Sequence, residues 1–276
     1  MTRRNYACLI FASTLVCATS IFAPGMNAAG VSDENFDAAE KALAAKQWDT
    51  ALGYFESALT ADPDSMRNAS EYRLATLQRS LALQPIVKGL PHEGKPADFD
   101  REIAFFEKLT KDHPQSANAV LNHGFCYVDK IPAAGTIGQV VLANTSLALF
   151  TKSLELKPSW IGLYTRGNSY LYWPKIFGHG GDAVADLEKA YAIQQKEPKK
   201  SLHVRVLVAL GDAYWKTDAK DKARATWKEG LKQFPDNKGL KDRMAKDGDD
   251  LDEYIANVLD PGKRVDTDLR ELWSAQ

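Results

Sequence analysis

Residues 204–237 read VRVLVALGDAYWKTDAKDKARATWKEGLKQFPDN, and their spacing predicts two antiparallel helices joined by a short turn. Leu207, Leu210, Gly211 and Tyr214 recur at the three- and four-residue intervals that share one helix face, and Ala223, Trp227 and Gly230 do so in the second half. Small residues at Gly211 and Ala223 let two backbones approach closely, while Tyr214 and Trp227 supply bulk for the remaining gap. Pro235 ends the second helix, because it lacks an amide hydrogen and its ring clashes with the preceding turn.

This order of large, small, aromatic and terminal proline residues resembles a tetratricopeptide repeat. Working outward, the pattern recurs. In 32–65, AKQWDTALGYFESALTADPDS carries the same second-helix signature and ends at Asp62-Pro63-Asp64. In 66–116 the two helices are separated by a breaker-rich loop, Gly89 to Pro96; Asp98 or Asp100 is the expected cap of the second helix, which ends at His113-Pro114. In 117–159, Gly124 and Tyr127 stand as Gly211 and Tyr214 do, and an insertion, DKIPAAGTIGQVVLAN, follows the first helix. In 160–203, Gly167 and Tyr170 take those places, and the turn from Tyr172 to Gly181 is enlarged. The resemblance implies an all-α fold, an α-solenoid of about five such helix pairs over 30–237. Residues 238–276 are expected to be capping helices, one or two over 238–259 and a last short one from Val265 to Trp273, because the final apolar face of a stack must be covered.

The chain has 276 residues, 45% hydrophobic and 26% charged, enough for a sizeable core. Arg3 and Arg4 precede an uncharged apolar run from Tyr6 to Ala23, and small residues follow at Ala28, Ala29 and Gly30. That order predicts a signal peptide over 1–29 and an exported, periplasmic protein; the alternative is an uncleaved anchor, the one circumstance in which a membrane is a partner. Thr2-Arg3-Arg4-Asn5-Tyr6 also resembles a twin-arginine signal. Cys8 and Cys17 fall inside the segment, so the remaining chain keeps only Cys126 and has no internal disulfide. The segment takes two arginines with it, leaving 33 basic against 36 acidic side chains; with no basic patch, nucleic acid is not an expected partner.

The resemblance implies a concave groove, lined by the first helix of each pair, that binds an extended peptide or protein partner. Its expected residues are Asn118 and Phe125 in the third pair, Tyr164, Asn168 and Tyr172 in the fourth, and Arg205, Asp212, Trp215 and Lys216 in the fifth. Rings there contact partner side chains and Asn168 can bond a partner backbone. The two enlarged turns, 128–145 and 172–182, are natural places for partner-specific contacts, with Lys175 and His179 as candidates.

No nucleophile–base pair or carboxylate pair is set by spacing, so the expectation is a non-enzymatic scaffold without metal or cofactor. The His-Gly-Gly at 179–181 lacks the Gly-x-Ser-x-Gly elbow that a hydrolase needs. His123 and Cys126 lie three apart, a metal-ligand spacing without a second pair, and read as a packed imidazole beside a buried thiol. The second reading is an accessory factor for an exported redox or metal enzyme.

Overall fold

The computed structural model describes residues 28–84, 94–260, 263 and 265–273; among them the secondary structure is helical, with no strand. The apolar run Tyr6–Ala23 and most of the expected signal segment lie outside the described residues, as do 85–93, which include the first part of the breaker-rich loop. Twelve α-helices are described: α1 (Ala28–Ala44), α2 (Trp48–Ala61), α3 (Met66–Ala82), α4 (Asp100–Asp112), α5 (Ala117–Lys130), α6 (Thr136–Leu156), α7 (Trp160–Tyr170), α8 (Gly180–Gln194), α9 (His203–Lys216), α10 (Lys220–Gln233), α11 (Lys238–Met244) and α12 (Gly248–Val258).

Four of these helices begin on one device. Ser65, Ser116, Ser159 and Asn237 are N-caps whose side-chain oxygens accept the amides of Asn68, Ala119, Gly162 and Leu240 at 2.9–3.2 Å. A proline stands one or two residues before each, at Pro63, Pro114, Pro158 and Pro235, so one short stretch stops a helix and starts the next. The expected aspartate cap of α4 is not used. Phe99 is its N-cap residue, and the Asp98 carboxylate instead accepts the Ser80 hydroxyl at 2.6 Å, tying the turn Pro96–Phe99 to α3.

Within the pairs the close approach sits where small residues permit it. A Cβ added at Gly211 would run into the buried Trp227 indole; at the equivalent places one on Gly124 would press on Phe150 and one on Gly167 on Leu187. Burying a side chain the size of Phe150 contributes about 2–3 kcal/mol. Tyr214 behaves otherwise than expected. It is only half-buried, and its hydroxyl donates to Glu188 on α8 at 2.5 Å, joining two pairs rather than filling one. The second pair is the loosest, because α3 packs mainly on α2 and α5 while α4 packs on α5.

The insertion after α5 is largely helix. A 3-10 turn at Ile131–Ala133 leads into α6, which runs for 21 residues against 14 in α5, so the extra residues lengthen the start of α6. Beyond α10, Leu240, Leu251 and Ile255 carry α11 and α12 over the last pair. The helix expected over Val265–Trp273 is absent: residues 265–269 carry no helix and only Arg270–Leu272 closes a 3-10 turn. Two local bonds explain it. Asp266 Oδ1 accepts the amide of Asp268, and Asp268 Oδ1 that of Arg270, each at 3.0 Å, which offers the backbone turns in place of a helical ladder.

Candidate functional site

Residues 265–273 lie as a strap across the first helices α3, α5 and α9. On α3, Arg73 forms an ion pair with Asp129 of α5 at 2.7 Å, both side chains being almost wholly buried. Both also reach the strap: Arg73 Nη2 points at the carbonyl oxygen of Thr267 at 3.5 Å, and the Thr267 hydroxyl donates to Asp129 Oδ1 at 2.6 Å. On α9, Arg205 donates to the Asp266 and Asp268 carbonyls at 2.9 and 3.2 Å and to the Asp266 carboxylate at 2.6 Å. Leu269 is sunk among Leu121, Phe125 and Phe150. Glu271 accepts the Ser201 amide at 2.9 Å, and Leu272 and Trp273 pack on the same apolar cluster. Burial pushes the Glu71 carboxyl, 3.8 Å from Arg270, up to about 6, with Arg270 pulling the other way.

Beside the strap is a cavity of about 290 Å³. One wall is the lengthened start of α6, with Val140; another is the end of α7 and the following turn, with Tyr164, Asn168, Tyr172 and Phe177; the strap closes a third. The two insertions thus converge on one space. Two of its apolar lining side chains stand exposed, Val140 on α6 and Phe177 on the turn; Ile137, Val141 and Ile176 are exposed on the same two segments. Burial pushes the Tyr172 phenol up to about 12 and raises that of Tyr164, so both rings meet the space as neutral groups. The 172–179 turn is a clasp of rings rather than an open loop. Trp173 packs edge-on against Phe177 at 5.4 Å and His179 at 5.7 Å, and His179 stacks on Tyr170 at 4.9 Å. Gly178, at φ +76°, supplies the left-handed turn that closes it.

The expected groove residues divide accordingly. Phe125, Tyr164, Asn168, Tyr172 and Arg205 meet at the cavity and strap. The other four are engaged elsewhere. Asp212 is buried with Arg243 of α11 in a two-pronged ion pair, both contacts at 2.6 Å. Trp215 lies under α12, its indole NH donating to Asp252 at 2.6 Å. Lys216 donates to the carbonyls of Leu171 and Trp173, capping the end of α7 and fastening the turn. Asn118 donates to the Asp64 carbonyl at 2.9 Å, near its own helix start. Of the turn candidates, Lys175 is exposed, 3.8 Å from Asp218, and His179 belongs to the ring clasp. Arg73 and Leu269 were not among the expected residues. Arg73 is the middle of three arginines on α3, and no local spacing sets it apart from Arg67 and Arg79.

His123 and Cys126 point into different surroundings. The imidazole packs at a tilt against Tyr127 at 5.4 Å and lies near Thr110 of α4, and burial pushes it down to about 4. The thiol donates to the Asn122 carbonyl at 3.2 Å inside the core, and burial raises it. Among the described residues no group of three His, Cys, Asp or Glu side chains is placed to hold a metal ion.

No protein-family model matches the chain, and no curated protein matches it. Among solved structures it is similar to a thermophilic TPR protein of Thermus thermophilus, with 18% identity over 78% of this chain and 97% of that one, at a TM-score of 0.50. It is also similar to the MamA protein, at 16% identity over 73% and 91% of the two chains and a TM-score of 0.45. Helix pairs that approach closely where a glycine meets a large side chain, stacked in chain order, make this an all-α helical solenoid with the tetratricopeptide-like repeat fold.

Proposed function

We propose that this chain is a non-catalytic interaction scaffold that receives an apolar segment of a partner protein in the cavity between its two insertions. The observation that carries this reading is their convergence: separate repeats each depart from the regular length, and both departures build the same space and line it with the exposed side chains of Val140 and Phe177. Exposed apolar side chains clustered at a concavity mark interaction sites more often than scattered ones do. Asn168 and the tyrosine hydroxyls add a few polar groups to fix orientation. The regular repeats supply rigidity, so that cavity walls on different helices keep their spacing.

The reading includes export, which rests on the apolar segment Tyr6–Ala23 and its arginines. No helix among the described residues is long and apolar enough to cross a membrane. The accessory-factor alternative draws on Cys126 and His179, and a thiol enclosed by core and an imidazole stacked in a clasp give it little support.

The test is quantitative affinity capture from an envelope extract with the full chain and with an Ile176→Asp, Phe177→Asp double variant. A partner held by the first and lost by the second, at unchanged helicity and melting temperature, is the expected result. A partner retained equally by both removes the cavity from the interaction, and fractionation of the chain to the cytoplasm removes export.

A further inference from the structure

The strap occupies its face as a bound peptide would, and the manner of its holding is informative. Arg205 and Arg73 direct guanidinium NH groups at the carbonyl oxygens of three successive residues, Asp266, Thr267 and Asp268. Contacts to the main chain depend on its path rather than on its side chains, so another extended segment following the same path meets the same donors. Three further contacts select. The Asp266 carboxylate is read by Arg205, the Thr267 hydroxyl by Asp129, and the Leu269 side chain by the well of Leu121, Phe125 and Phe150.

The receiving surface is built independently of the strap's own fold. Arg73 and Asp129 come from first helices of neighbouring pairs, and burying such an ion pair is a poor way to gain stability compared with packed carbon. Here both members also turn a hydrogen-bonding atom toward the strap. The strap is held lightly in return. Arg205 and Asp266 are 20% and 68% exposed, and Leu269 is the one strap side chain sunk fully into the core.

We infer that residues 265–273 are a built-in occupant of a peptide site, and that the surface beneath them takes from a partner protein an extended segment of the form aspartate, hydroxyl residue, any residue, leucine. Charge complementarity favours this occupant: the strap's Asp266 carboxylate meets Arg205, and its Arg270 lies 3.8 Å from Glu71 on the face below. The strap then acts as a competitor in cis, present at the roughly millimolar effective concentration of a short tether. A partner segment binds only as the strap yields. This inference concerns the surface under the strap and stands whether or not the cavity receives anything.

A fluorescent peptide of residues 263–273, KRVDTDLRELW, titrated into full-length protein tests it by anisotropy. Wild-type chain is expected to bind weakly, because its site is filled. A Leu269→Glu chain, whose strap no longer seats, is expected to bind at least ten-fold more tightly, and adding Arg205→Ala to it is expected to remove that gain. A peptide with the same leucine changed to glutamate is expected not to bind. Equal, weak binding to wild-type and Leu269→Glu chains of unchanged helicity overturns the inference. So does a concentration-dependent dimer of the wild-type chain that the peptide dissolves, since the occupant in trans is then a second copy. Should Leu269→Glu unfold the chain, Thr267→Lys on the polar side of the strap takes its place under the same criteria. The Ile176→Asp, Phe177→Asp variant leaves peptide binding unchanged, which separates failure here from failure of the cavity reading.

Discussion

Helices α11 and α12 and the strap at 265–273 both cover surface that the repeats leave open, and they do so with different chemistry. The helical cap buries Leu240, Leu251 and Ile255, and its ion pair to the repeats, Asp212–Arg243, is 2% exposed on each side. The strap buries only Leu269 fully, and is otherwise held by half-buried Leu272 and Trp273, by hydrogen bonds to Arg73, Asp129 and Arg205, and by ion pairs at the solvent boundary. Carbon buried over a helix pair is hard to remove without unfolding what lies below. Exposed charge pairs are screened and individually weak. The cap therefore belongs to the cooperative fold of the last pair, whereas the strap can open by itself.

The largest effect that would sharpen this contrast is Asp212→Ala, which leaves the Arg243 guanidinium buried without its partner. It should cost about 3–5 kcal/mol and lower the midpoint of chemical unfolding measured by circular dichroism. Leu251→Ala should follow at about 2–4 kcal/mol, from lost burial and the cavity left in α12. Leu269→Ala removes as many atoms but should cost about 1 kcal/mol or less globally, because the strap detaches rather than holding open a void. Its signature is fast amide exchange over 265–273 with α9–α12 still protected. A loss matching that of Leu251→Ala would break the contrast.

Arg205→Ala should change global stability by less than about 1 kcal/mol, and raised salt should mimic it in strap exchange while leaving the cap untouched. The smallest effect concerns pH. Glu71, beside the strap's Arg270, is raised to about 6 from 4.5 by burial. Because the folded state favours its protonated form, its contribution is full below pH 4.5 and is lost as pH rises through about 6. Glu71→Gln should lose less stability than wild type between pH 4.5 and about 7 in paired urea melts. Identical pH dependence in the two proteins would place the shift elsewhere.

How far the chain can be read from its sequence differs along its length. Gly211 with Trp227, and the matching Gly124 and Gly167, announce the pairs, because close backbone approach demands a missing side chain at a set interval. The recurrent proline followed by Ser65, Ser116, Ser159 or Asn237 is equally local, although the expected repeat pattern did not include it. Of the expected groove residues, Tyr164, Asn168 and Arg205 line the cavity, which repeat position alone does not define. The burial of Asp212 and Trp215 was instead decided by Arg243 and Asp252 in α11 and α12, 31 and 37 residues further along the chain.

What the amino-acid order determined by itself was therefore the repeat: helix, turn, helix and the apolar seam between them, each set by residues within one or two turns of each other. The tertiary structure alone decided that two insertions share a cavity, that Arg73 and Asp129 meet, and that residues 265–273 lie across α3, α5 and α9. Each of these rests on side chains distant in sequence, such as Arg205 and Asp266, and no local spacing encodes which of many charged partners a long side chain will find.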